Sequence, residues 1–125
     1  MIKPGYSLIT DPACRLLKVS LSGLWDLDTL ENYRADRRVA IQRMADAGVA
    51  EAEILLLVDR RDQTVQSQEL TNALIDMVDE VETRTARTAV IVGGALLRLQ
   101  ALRTSRTERT RVFTDESEAM DWLMS

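Results

Sequence analysis

No histidine occurs anywhere in the chain. That removes the commonest general base and the commonest protein metal ligand, so no Ser-His-Asp or Cys-His site can be assembled. The single cysteine, Cys14, has no activating partner legible in the sequence and falls in a turn, so it reads as a passive thiol. One cysteine also permits no internal disulfide, which fits a reducing, cytoplasmic setting. Carboxylates are plentiful, but none stand at metal-ligand spacing. Asp59 and Asp62 can converge at the end of a strand, although two loop-capping acids explain the pair more simply. Gly93-Gly94 follows an apolar run and precedes a helical one, where phosphates often sit. It lacks any longer glycine signature and reads first as a tight turn. These residues predict no catalytic centre, no metal and no cofactor, and hence no enzyme.

Two charge blocks stand out. Residues 84–111 hold seven arginines and one acid, Glu108, whereas residues 69–82 hold five acids and no base. Such segregation suits a protein partner, or self-association of opposite patches into a homo-oligomer, if it is more than a solvated surface. Nucleic acid is not expected, because the net charge is −4 and no aromatic interleaves with the arginines.

The elements that must position these groups follow from periodicity. Tyr6–Thr10 alternates and is closed by Asp11-Pro12, and Leu16–Leu21 alternates again, which predicts a β-hairpin with Pro12 and Cys14 in its turn. Trp25–Val49 reads as a helix. Asp26 is its cap, Trp25 and Leu30 form a staple, and Asp28 and Glu31 lie in the first turn. Leu30, Tyr33, Ala40, Ile41 and Met44 are its candidate buried side, with Gly48 beyond its end. Glu53–Asp59 is an apolar strand covered on both faces. A polar loop over Arg60–Gln66 is expected next, then a helix over Ser67–Val81 with Leu70, Ala73, Leu74, Met77, Val78 and Val81 on one stripe. Thr88–Val92 is a strand, Ala95–Leu102 a short helix, Thr104–Thr110 a loop and Arg111–Thr114 the last strand. Asp115 then caps a final helix, with Glu118 three residues on and Ala119, Trp122 and Leu123 on its inner face.

The order β-β-α-β-α-β-α-β-α implies right-handed crossovers and a mostly parallel α/β sheet of about five strands, with an N-terminal hairpin and four helices. At 125 residues, with no linker, repeat or low-complexity stretch, the chain reads as one domain. The longest apolar run, Ile54–Val58, is far too short for a bilayer, and residues 3–5 do not open a signal peptide, so no stable membrane insertion is expected.

The stretch Arg111-Val112-Phe113-Thr114-Asp115-Glu116-Ser117-Glu118-Ala119-Met120-Asp121-Trp122-Leu123 resembles the closing pattern of the SpoIIAA-like domains, small relatives of the STAS fold. The Ser22-Gly23 step and the strand ending at Asp59 fit as well. The resemblance spans essentially the whole chain and implies a mixed sheet of four or five strands with helices around it. Anti-sigma-factor antagonists of that fold carry a phosphorylatable serine in an Asp-Ser-Ser/Thr-Gly-like motif. This chain reads Asp59-Arg60-Arg61-Asp62-Gln63-Thr64-Val65-Gln66-Ser67 there, so the motif is absent and Ser67 is only its positional counterpart. Some SpoIIAA-like domains also resemble SEC14-type lipid-binding folds, which by analogy implies a small apolar ligand.

Ligands of open parallel sheets sit beyond the carboxyl ends of the strands. That rim is residues 23–26, 59–67 and 93–96, and within it the residues expected to bind a ligand or partner are Trp25, Asp59, Arg60, Asp62, Thr64, Ser67, Gly93 and Gly94. Thr64 and Ser67 are the positions for a phosphorylation switch. The expected role is a regulatory or protein-interaction domain, with a carrier or sensor of a lipid-like ligand as the alternative.

Overall fold

A computed structural model describes residues 5–63, 67–70, 72–73, 84–94 and 109–125. Five strands form one sheet: β1 (Gly5–Asp11), β2 (Leu16–Gly23), β3 (Leu55–Gln63), β4 (Arg87–Ile91) and β5 (Thr110–Phe113). Their order across the sheet is β1-β2-β3-β4-β5, the order of the chain. The hairpin β1–β2 is antiparallel, and every later pairing is parallel. Its turn is a 3-10 turn, Pro12–Cys14, closed by Arg15 in the left-handed region at φ 57°.

Helix α1 (Leu27–Asp46) begins where its cap chemistry dictates. Asp26 Oδ1 accepts from the backbone N–H of Thr29 at 2.7 Å and from its hydroxyl at 2.6 Å. It ends at Gly48, φ 94°, with Gly48 N–H donating to Ala45 O and Val49 N–H to Met44 O, both at 2.9 Å. These are the two bonds of a Schellman closure. Residues 68–70 and 72–73 are helical (α2), and Glu116–Met124 forms α3 under its Asp115 cap. The helix expected over Ala95–Leu102 and the later part of that expected over Ser67–Val81 lie outside the described residues.

The sheet has a core on each face. On one, Leu17, Val19, Leu21 and Leu56 pack under Leu30, Tyr33, Ala40 and Met44 of α1, with Leu70 and Ala73 of α2 beside them. On the other, Leu55, Leu57, Ala89 and Ile91 pack under Ala119 and Leu123 of α3. The alternation of β3 between these cores explains why its apolar run has no polar face.

The loop expected to start at Arg60 is corrected: β3 runs on to Gln63. The reason is tertiary. Strand β2 continues to Gly23 and pairs Ser22 with Asp62 and Gly23 with Gln63, after a register shift between Ser20 and Ser22. Two steps along β2 match three along β3, so β3 carries one extra residue, a bulge that re-aims its side chains.

Candidate functional site

The carboxyl rim gathers most of the expected residues, but on two faces of the sheet. Trp25 is buried, and its Nε1–H donates to Ser22 O at 2.9 Å. Its ring meets Tyr6 and Tyr33 at centroid distances of 5.9 and 5.4 Å. This aromatic group fixes the β2–α1 connection over the core. Ser67 opens α2, its Oγ accepting from Leu70 N–H at 3.2 Å. Trp25 and Ser67 share the wall of one cavity of about 450 Å³, together with Leu24, Asp26, Leu27, Asp28, Glu69 and Leu70. Leu24 and Leu27 are 57% and 44% exposed, high for leucine. The cavity thus has an apolar lining and three carboxylates, with no basic residue among the eight.

Asp59 lies on the α3 face. Arg61 grips it, with NH2 to Oδ2 at 2.7 Å and Nε to Oδ1 at 3.0 Å. Hydrogen bonding from Arg61 holds the Asp59 carboxyl below its ordinary pKa, with smaller help from the charges of Arg61 and Lys18. Glu116, in the first turn of α3, takes Lys18 Nζ at 3.0 Å and Arg61 NH2 at 3.7 Å. The four groups tie β2, β3 and α3 together and leave Asp59 engaged rather than convergent with Asp62, which is exposed.

Arg60 turns the opposite way and is buried. The bulge brings Gln63 to the same side, and Arg60 Nε–H donates to Gln63 Oε1 at 2.6 Å. Burial pushes the pKa of the guanidinium down to about 10. Gly93 and Gly94 are exposed. A side chain at Gly93 would stand 3.1 Å from Arg61 O, so this glycine permits a close approach of backbone to backbone, whereas nothing crowds Gly94. Thr64 lies outside the described residues.

Leu24 and Gln63 fall inside the expected rim but were not singled out there, and Leu27 and Leu70 lie outside it. Leu24 and Leu27 carried a readable signal, two leucines astride the helix cap. Gln63 carried none, because its place depends on the length of β2. Among the described residues, no group of three or more His, Cys, Asp or Glu side chains can hold a metal ion, and no helix is long and apolar enough to cross a membrane.

No family model and no curated protein matches the chain. Among solved structures it is similar to a crystal structure from Shewanella loihica PV-4, described as an uncharacterized protein of the DUF3478 family with a SpoIIAA-like fold. The likeness has a TM-score of 0.60 at 20% identity and covers 98% of this chain and 93% of the other. The fold is therefore SpoIIAA-like, as the closing pattern of the sequence implied.

Proposed function

We propose that this protein is a non-catalytic interaction domain. It receives, at the carboxyl rim between the start of α1 and the start of α2, a partner segment that combines an apolar side chain with basic groups. The carrying observation is the cavity of about 450 Å³, where exposed Leu24 and Leu27 sit among Asp26, Asp28 and Glu69. Apolar surface left open at a concave site favours an apolar anchor. Three carboxylates select a cationic neighbour and repel an anionic one. The lack of histidine supports the non-catalytic reading. A second copy is one such partner, since residues 84–111 carry seven arginines.

The test is photo-crosslinking in cells from a reactive residue at position 27. The expected result is a discrete adduct that disappears when Asp28 and Glu69 are replaced by lysine. An absent adduct, or one indifferent to charge reversal, overturns the reading. Adducts of twice the chain mass that vanish at high salt identify the partner as a second copy.

The cavity volume and the Trp25 wall also favour a second reading, a small apolar ligand, since pockets for such ligands run from ~300 to 1,000 Å³. The acidic lining disfavours fatty-acid headgroups. Native mass spectrometry of gently purified protein would show the added mass; bare protein only, with tryptophan fluorescence unmoved by lipids, rejects it.

A further inference from the structure

Buried polar groups in folded proteins nearly always find a partner, and a buried guanidinium needs one most, because it cannot shed its charge. At the end of β3 two adjacent side chains break this rule. Arg60 is 6% exposed and Gln63 2% exposed. Among the described residues, the buried Arg60 NH2 and Gln63 Nε2 find no hydrogen-bond partner. The one bond between the two residues, Arg60 Nε to Gln63 Oε1, uses the only side-chain acceptor of the pair. What remains is donors only, carrying one full positive charge.

The nearby carboxylates do not answer it. Asp59 faces the α3 side and is held by Arg61. Among the described residues, no acid is paired with the Arg60 guanidinium, and burial lowers its pKa. The bulge makes this arrangement, because without the extra residue in β3 Arg60 and Gln63 would point to opposite faces. Gly23, paired with Gln63, adds no side chain on that face. The place is the carboxyl end of a parallel strand, past its last pairing with β4 at Asp59, where open α/β sheets take their ligands.

We propose that Arg60 and Gln63 form a binding site for a small oxyanion, a carboxylate or phosphate group, whose oxygens accept from Arg60 NH2 and Gln63 Nε2. The site is separate from the acid-lined cavity and does not depend on the reading given to it. A guanidinium edge beside an amide matches two oxygens of one planar or tetrahedral anion.

Thermal unfolding of the intact protein tests this, in sodium phosphate and in sodium acetate, each against sodium chloride of equal ionic strength. A bound anion raises Tm with the logarithm of its concentration once the site is saturated. The expected result is such a rise with at least one oxyanion, lost in Arg60→Met. A rise with phosphate alone assigns a phosphate ligand, and a rise with acetate assigns a carboxylate. Because Arg60→Met can fail to fold, Gln63→Glu serves as the second variant: it supplies a built-in carboxylate. It should melt higher than the parent without added anion and should no longer respond to phosphate or acetate. A parent protein that responds no more than it does to chloride, as expected if water satisfies the two donors, overturns the proposal. So does a response retained in Gln63→Glu.

Discussion

Three consecutive charged residues in β3 meet two different fates. Asp59 and Arg61 share a face and hold each other, while Arg60 between them is driven inward. The Asp59–Arg61 pair makes an acid-sensitive contribution. The folded Asp59 pKa lies below its unfolded value, so its stabilisation is present above about pH 4 and is lost as pH falls through the lower folded value. Asp59→Asn should therefore flatten the acid limb of urea midpoint against pH, with little change in slope above pH 6. Tyr6 behaves in the opposite sense. Its hydroxyl donates to Asp36 at 2.5 Å, and that bond first, with burial and the Asp36 charge, raises its pKa to about 12. Its contribution is complete below about pH 10 and fades between there and 12. Tyr6→Phe should remove that alkaline decline, read by the same midpoints at pH 9 and 11. At this scale Asp26, Gly48 and Asp115 were legible, because a cap is decided by its own few residues. The inward turn of Arg60 and Gln63 was not, because it depends on a register set by a distant strand.

Elements were legible where periodicity was strong and misjudged where pairing overrode propensity. Arg60-Arg61-Asp62-Gln63 has the composition of a loop, yet β2 recruits it into the sheet. A proline separates the two alternatives. In a loop, Asp62→Pro would be near neutral. In a strand paired at Ser22 it disrupts the ladder and should cost roughly 1–3 kcal/mol, measured by urea unfolding. Helix α3 shows the reverse case, a nine-residue element written plainly in its sequence. Asp115 Oδ2 accepts from Glu118 N–H at 3.2 Å, and Asp115→Ala should lower stability by about 0.5–2 kcal/mol at unchanged urea slope. Phe113 and Trp122 meet at 5.9 Å, and Arg87 and Arg111 both lie over the indole ring at 5.2 and 5.4 Å. Part of the arginine excess is thereby explained as packing around one tryptophan, which its sequence position alone did not reveal.

Over the whole molecule, the alternation of strands and helices was enough to anticipate the sheet, and the likeness to a SpoIIAA-like structure agrees. What alternation did not convey is how unequally the two faces are covered. Parallel strands added in one direction by right-handed crossovers place their connecting helices on one face, and α1 and α2 both lie there. Among the described helices, the other face has only α3. Leu123, 2% exposed, sits at the centre of that contact, and Leu123→Ala should cost about 2–5 kcal/mol, with both faces lost in a single urea transition. The same asymmetry bears on how the chain is made. Each strand pairs only with its neighbours in sequence, so the sheet can lengthen in step with synthesis. Leu55, Leu57, Ala89 and Ile91 nevertheless wait for Glu116–Met124, the one described helix that covers them, to leave the ribosome. A nascent chain stalled after β5 would carry an open greasy sheet face. The residues with the plainest local code are then the ones that end the period of greatest risk of aggregation.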